Sequence, residues 1–193
     1  ASEATGIRQI VYLSVLGASV NSKNACLASK ANAERVLMES TFASSILRVP
    51  MVLGANDHAS HAIAKRVSST IAFTFRASSL EQPIDVDDVI AAVSACLELG
   101  IGGVMCLAGP DSVSRRVLYE RAGFNGLLIS LPMWLGMMVA GLLEWVSDNP
   151  PMTRAMLGIL DHDDNVNSST CVQKLGITLT SLDETLKKIV PLD

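Results

Sequence analysis

Residues 10–15, Ile10-Val-Tyr-Leu-Ser-Val15, form a short β-rich run without strict apolar/polar alternation. That pattern suits a strand covered on both faces in a parallel sheet. A Ser/Asn-rich connection over residues 18–24 follows, and the pattern turns helical from Ala25 to Ser40. Ser45-Ile-Leu-Arg-Val49, closed by Pro50, then reads as the next strand. Strand, helix and strand in this order make a right-handed crossover unit, the building block of α/β sheets.

Working outward, residues 63–70 read as helical and Ile71 to Arg76 is ambiguous between helix and strand. Pro83-Ile-Asp-Val-Asp-Asp-Val89 opens a helix running to about Leu99, with an aspartate placed as its N-cap. Gly100, Gly102 and Gly103 turn the chain into a third strand, Val104-Met-Cys-Leu107. Ser112 to Ala122 is a polar-faced helix ended by Gly123, a further helix lies near Thr153 to Leu160, and Ser181-Leu-Asp-Glu184 is a capping box that opens the last one. The fold class expected is α/β: the C-terminal part of a Rossmann-like, doubly wound parallel sheet with a small, mostly helical C-terminal lobe. The division falls at residue 110, with a partial α/β sheet domain over 1–110 and a substrate-side or partner-binding lobe over 111–193.

Composition narrows the partners. Of 193 residues, 49% are apolar and 18% charged, enough for a core and too apolar for a disordered chain. A net charge of -4 and 4% aromatic residues leave neither a basic field for a phosphate backbone nor a stacking platform for bases, so nucleic acid is not an expected partner. The four cysteines, Cys26, Cys96, Cys106 and Cys171, form no CxxC pair and read as reduced thiols on the cytoplasmic or organelle-matrix side. The opening Ala-Ser-Glu-Ala-Thr-Gly6 has no Met, basic region or apolar region, so the chain is expected to begin inside a domain and not with a signal peptide. The most apolar stretch, Leu127 to Val146, is split by Pro132, and a helix over Met133 to Val146 would reach about 21 Å against roughly 30 Å of bilayer hydrocarbon. It reads as a buried or partner-facing helix, with contact to a membrane surface as the alternative and not a span.

Three segments together resemble a known family: Ile10-Val-Tyr-Leu-Ser14-Val-Leu-Gly17, Ala28-Ser-Lys30-Ala-Asn-Ala-Glu34 and Ile46-Leu-Arg48-Val-Pro50-Met-Val-Leu-Gly54. They resemble the middle and later parts of extended or atypical short-chain dehydrogenases/reductases, the NAD(P)-binding epimerase/dehydratase-like group. Gln82 to Val89 resembles the segment these proteins place before a late helix, and Leu107-Ala-Gly-Pro110 with Ser114 resembles their last strand and its exit. The tail, with Leu131-Pro-Met-Trp134, Asn149-Pro-Pro-Met-Thr153 and Leu175-Gly-Ile177, looks most like the branch containing the NAD(P)-binding accessory subunit of respiratory complex I.

The resemblance implies hydride transfer between a nicotinamide and a carbon, with a Tyr-x-x-x-Lys helix beside a strand-end Ser. Residues four apart share a helix face, so phenol and ammonium project together, and the positive charge makes the phenol a stronger acid. Ser14 and Lys30 match that pattern, but the position four before Lys30 is Cys26. A thiol is acidic enough, with a reference pKa about 8.5 against about 10 for tyrosine, yet it ends several ångströms short of where a phenol hydroxyl would reach. The implied catalytic set of Ser14, Cys26 and Lys30 is therefore expected to be weakened, with Lys30 retained to hold the cofactor ribose. Pro50, Met51 and Val52 are the implied cofactor-facing loop, or alternatively a plain strand terminator.

The cofactor implied is NAD or NADP in a longer parent. No Gly-rich turn of the GxGxxG type joins a strand to a helix here, and Gly100-Ile-Gly-Gly103 precedes a strand instead. Weak or no dinucleotide affinity is expected of these 193 residues alone, with a sheet edge left open for a missing half or a protein partner. Two other readings remain: an active oxidoreductase or epimerase on a sugar nucleotide, quinone or small carbonyl compound, and a structural accessory subunit of a respiratory membrane complex. No metal site is expected. Asp161-His-Asp163-Asp-Asn165 begins like a calcium loop but has Val166 and Val172 where glycine and glutamate are required, so it reads as a solvated acidic turn. His58 and His61 read as loop histidines, and Asp85, Asp87 and Asp88 as helix-start carboxylates.

Overall fold

Alternate residues of a strand point to opposite faces, so a central parallel sheet has to be covered twice. Strand β1 (Gln9–Val15) pairs in parallel with β2 (Ala43–Val49), placing Ser14 opposite Arg48 and Val15 opposite Val49. Strand β7 (Gly103–Cys106) pairs in parallel with the other side of β2. This β1-β2-β7 sheet is made of the three strands expected from sequence. The computed structural model describes residues 6–55, 57–159 and 161–190. The opening residues 1–5 and Leu160, the expected end of a helix, lie outside the described residues.

Helix α1 (Ala25–Met38) covers one face of the sheet and is started by Asn24, whose side chain accepts from the Cys26 and Leu27 amides. The opposite face carries Leu47, Val49, Met105 and Leu107, which pack with Val89, Ala92 and Cys96 of α3 (Val86–Leu99) and with Cys171 and Leu175 of α7 (Ser169–Leu175). This doubly covered parallel sheet is the α/β, Rossmann-like arrangement expected. Among the described residues β1 pairs only with β2, so its outer edge is open.

A second apolar cluster joins early and late parts of the chain. Leu53 of β3 (Val52–Leu53) and Ile63 of α2 (His58–Val67) pack with Leu118 and Tyr119 of α4 (Arg115–Arg121) and with Leu182, Leu186 and Ile189 of α8 (Leu182–Ile189). The ambiguous Ile71 segment is strand β4 (Ile71–Phe75), because a parallel partner exists 56 residues further on in β9 (Leu127–Leu131), pairing Ile71 with Leu127. Residues 111–193 thus contain strands as well as helices, and they pack against residues before 110. Short pairs complete the frame: β3 with β6 (Ile84–Asp85) in parallel, and β5 (Leu80–Glu81) with β8 (Val113–Ser114) antiparallel. The expected helix from Ser112 begins at Arg115, since Ser114 serves as its N-cap by accepting from the Val117 amide.

Helix α5 (Met133–Val146) starts after Pro132 as expected, but its faces are reversed from a simple core helix. Gly136 and Ala140 face inward, and a methyl at Gly136 would sit 2.7 Å from the Phe75 ring. Close approach selects the small residues, leaving Trp134, Met138, Leu142, Trp145 and Val146 exposed. Among the described residues no helix is long and apolar enough to cross a membrane. Helix α6 (Arg154–Ile159) packs beside α5, where Arg154 pairs with Glu144.

Candidate functional site

The C-terminal ends of parallel strands, and the loops leaving them, are where doubly wound sheets bind ligands. A cleft of about 480 Å³ opens there, between Val15, Leu16 and Gly17 after β1 and Val49, Pro50 and Met51 after β2. Its volume lies within the range of small-molecule sites. Ala59 of α2, Ile159 of α6 and Val166 extend the apolar wall, and Glu81, His162, Asp163 and Asp164 form the polar side. Gly17 has φ +75°, a left-handed conformation suited to glycine, and the His162 ring lies 3.9 Å from where a Cβ would be.

Of the cofactor-loop residues, Pro50 and Met51 line this cleft. Val52 does not, because it has entered β3, pairs with Ile84 and packs beside the cluster under the central sheet.

The three residues of the implied catalytic set lie near one another along β1 and α1 without forming a proton relay. Ser14 is 1% exposed, and its hydroxyl donates to Glu34 Oε1 at 2.5 Å. Glu34, equally buried, also accepts from Arg48 Nε at 3.0 Å and a second guanidinium nitrogen at 2.5 Å. Burial alone would push the Glu34 carboxyl up, but the hydrogen bonds from Arg48 and Ser14 outweigh it and hold the group below its ordinary value. Ser14 is thus committed to a buried ion pair that fixes α1 on the sheet. Lys30 donates to the Leu13 carbonyl at 3.0 Å and sits 5.0 Å from the Tyr12 ring centroid, a cation–π contact. Cys26 is half-buried in the first turn of α1, and among the described residues no hydrogen bond joins its thiol to Ser14 or Lys30. None of the three is among the described residues lining the cleft.

The polar wall was missed by sequence reasoning, and the acidic turn expected to be merely solvated builds it. Asp163 accepts from the Ser79 hydroxyl at 2.8 Å and the Leu80 amide at 3.2 Å, and pairs with Arg76. The Asp164 amide donates to the Leu80 carbonyl, its carbonyl accepts from Ser112 at 2.6 Å, and Gln82 clasps Val166 through both amide and carbonyl. So tied, the segment holds the Asp164 carboxyl against the cleft, where no described residue donates a hydrogen bond to it. Burial, and then the nearby Glu81 carboxylate, push it up to about 6. Glu81 itself is buried against Arg115, whose Nε donates to it at 2.8 Å. Signals for this arrangement were present only as isolated polar residues, since every clasp spans 30 or more residues of chain.

Two other readings change. His58 and His61 lie in the first turn of α2, not in a loop, and His61 Nδ1 is 2.8 Å from the Asp57 carbonyl. Asp85 caps α3 as expected and also takes Lys188 at 2.9 Å and the Thr185 hydroxyl at 2.9 Å, tying the last helix to the sheet region. Burial opposes its ionisation, but Lys188 and these hydrogen bonds keep the carboxyl below its usual range.

No family model matches the chain, and no curated protein matches it by sequence. Solved structures do match in three dimensions. A nucleoside-diphosphate-sugar epimerase from Staphylococcus aureus superposes with a TM-score of 0.70 at 15% identity, over 96% of this chain and 67% of that one. A UDP-N-acetylglucosamine 4-epimerase from Bacillus cereus gives 0.68 at 12% identity, over 97% and 66%. A human epimerase family protein solved with NADPH gives 0.66 at 16% identity, over 94% and 65%. The chain therefore spans about two thirds of the length of these structures, and over that span it has their Rossmann-like fold.

Proposed function

We propose that this chain is part of an NAD(P)-binding reductase-like protein of the extended or atypical short-chain dehydrogenase/reductase group, with a weakened catalytic centre. One observation carries the reading: the cleft opens at the C-terminal ends of β1 and β2 and is lined by Pro50 and Met51. The fit is partial. Apolar strand ends and a left-handed Gly17 suit the nicotinamide end of a dinucleotide, whereas no Gly-rich strand-to-helix turn is present in this sequence for the pyrophosphate. A bound dinucleotide would supply hydride chemistry; this chain would contribute the apolar wall with Pro50 and Met51, while Lys30, held on the Leu13 carbonyl, stands outside the lining of the cleft.

Weakened catalysis is supported by two features. Cys26 stands where the resemblance expects tyrosine, and the Ser14 hydroxyl is turned into the Glu34–Arg48 pair instead of the cleft. Titration with NADH and NADPH, of these 193 residues and of the same chain joined to any sequence encoded ahead of Ala1, tests the reading. Weak binding alone and firm binding with a Gly-rich strand restored are expected; absence of binding in both overturns it. Cys26→Tyr separates the degenerate site from an active thiol-dependent oxidoreductase or epimerase, because turnover rises in the first and falls in the second.

A second reading has its own observation. The exposed stripe of Trp134 (65%), Met138 (60%), Leu142 (61%), Trp145 (84%) and Val146 (71%) suits an accessory subunit resting on a membrane complex, in the manner of the complex I branch. Co-fractionation with membranes that is lost in a Trp134→Ser/Trp145→Ser variant supports that role, and unchanged partitioning rejects it.

A further inference from the structure

The walls of the β1–β2 cleft differ sharply in chemistry. Val15, Leu16, Val49, Pro50, Met51, Ala59 and Ile159 give it a continuous apolar side. No Lys or Arg is among the described residues that line it. Arg115 stands behind Glu81 and is bonded to that carboxylate, and Arg76 is drawn to Asp161 and Asp163. What remains facing the cleft without a hydrogen-bond donor is the Asp164 carboxyl, on a backbone fixed by Leu80 and Ser112.

A diphosphate would meet this wall with no Lys or Arg among the described lining residues to receive it, and its charge would be repelled by Glu81, Asp163 and Asp164. An ammonium group meets the opposite situation: a half-buried carboxylate to which no described residue donates a hydrogen bond, in a site whose apolar side accepts a hydrocarbon or aromatic body. We propose that this cleft takes a largely apolar, non-phosphorylated molecule carrying a basic amine, whose ammonium pairs with the Asp164 carboxylate. The inference rests on reading the cleft as the substrate end of the proposed dinucleotide site, and it separates this chain from the nucleotide-sugar epimerases whose fold it shares.

The groups around Asp164 set the pH dependence. Glu81 from β5 and Asp163 from its own segment disfavour its ionisation, while His162 and Arg115 of α4 favour it. Burial dominates, so the free carboxyl titrates at about 6 and the cleft is ready for an ammonium only above that pH.

Benzylamine, benzyl alcohol and benzoate form a matched probe series for the 193-residue protein, followed by NMR shifts of the Gly17 amide and the Met51 methyl. Benzylamine is expected to bind best at pH 7.5, to weaken about tenfold at pH 5 as Asp164 takes up a proton, and to lose about tenfold in Asp164→Asn. Equal binding of benzyl alcohol, preference for benzoate or uridine diphosphate, or unchanged benzylamine binding in Asp164→Asn would overturn the proposal. The probe comparison in the unaltered protein needs no variant to fold. NAD(P)H titration of the unaltered chain, alone and joined to any sequence encoded ahead of Ala1, keeps the two readings apart: failed dinucleotide binding beside intact benzylamine binding rejects only the cofactor reading, and dinucleotide binding without benzylamine binding rejects only this proposal.

Discussion

Replacing Glu34 by glutamine tests whether the Ser14–Glu34–Arg48 cluster holds the sheet together, as its geometry requires. The change keeps the shape of the side chain but removes the charge that receives Arg48 and the Ser14 hydroxyl. Removing one partner of a buried ion pair costs about 3–5 kcal/mol, because the other charge is left without compensation. Glu34's side chain is 2% exposed but Arg48's is 27% exposed, so water relieves part of the stranded guanidinium and the lower end, about 3 kcal/mol, applies. For a chain of this size that is a fall of roughly 6–12 °C in Tm. The Glu34 carboxyl is held below its ordinary value, so the stabilisation is complete above the unfolded-state pKa and lost as pH falls through the folded one. The gap between parent and variant, measured by urea and thermal unfolding, is therefore wide at pH 7 and narrows in acid. Glu34→Leu combined with Arg48→Met, which removes both charges, should be less damaging than Glu34→Gln. A Glu34→Gln variant within about 0.5 kcal/mol of the parent at pH 7, or a gap that widens below pH 4, would refute the reasoning.

Other sites give independent tests. Asp164→Asn should gain stability over the parent as pH rises from 4 to 7, because a carboxyl raised to about 6 favours the fold only while protonated. Its partial exposure keeps the gain to about 1–2 kcal/mol, readable as a pH-dependent difference in Tm. Gly109→Ala would bring a methyl 1.8 Å from the Pro83 backbone carbonyl, which cannot swing aside, so a loss of at least about 3 kcal/mol or failure to fold is expected in urea titration. Ser181→Ala removes the capping box of α8 and should cost about 1 kcal/mol. Trp145→Lys, at a side chain 84% exposed, should shift stability by under about 0.5 kcal/mol in urea titration.

What could be read in advance follows the range of the interactions involved. The three strands of the β1-β2-β7 sheet were legible because each is a local β-rich run bounded by Pro or Gly. So were the starts of α3, α5 and α8, where Asp85, Pro132 and Ser181 act within one turn. Strand β4 was undecidable locally, since its identity depends on β9, and β9 was hidden in an apolar run that continues into α5. Pro50 and Met51, which the resemblance implies as a cofactor-facing loop, line the cleft because they leave the C-terminal end of β2. Ser14 was legible by position but not by orientation. The resemblance implied a role beside Lys30, and only the fold reveals Glu34 as its partner across 20 residues. Asp164 was marked only as part of an acidic turn, because its environment is assembled by Leu80, Glu81, Ser112 and Arg115.

The cluster shared by Leu53, Ile63 and the last helix also bears on how the chain is made. Leu182, Leu186 and Ile189 close a surface whose first half leaves the ribosome more than a hundred residues earlier. At about 5–20 residues per second, that surface stays uncovered for roughly 6–25 s during synthesis. For the first part of this interval, until β9 has been made, β4 lacks its parallel partner. Production of this protein should therefore depend on chaperone supply and improve when translation of residues 76–190 is fast.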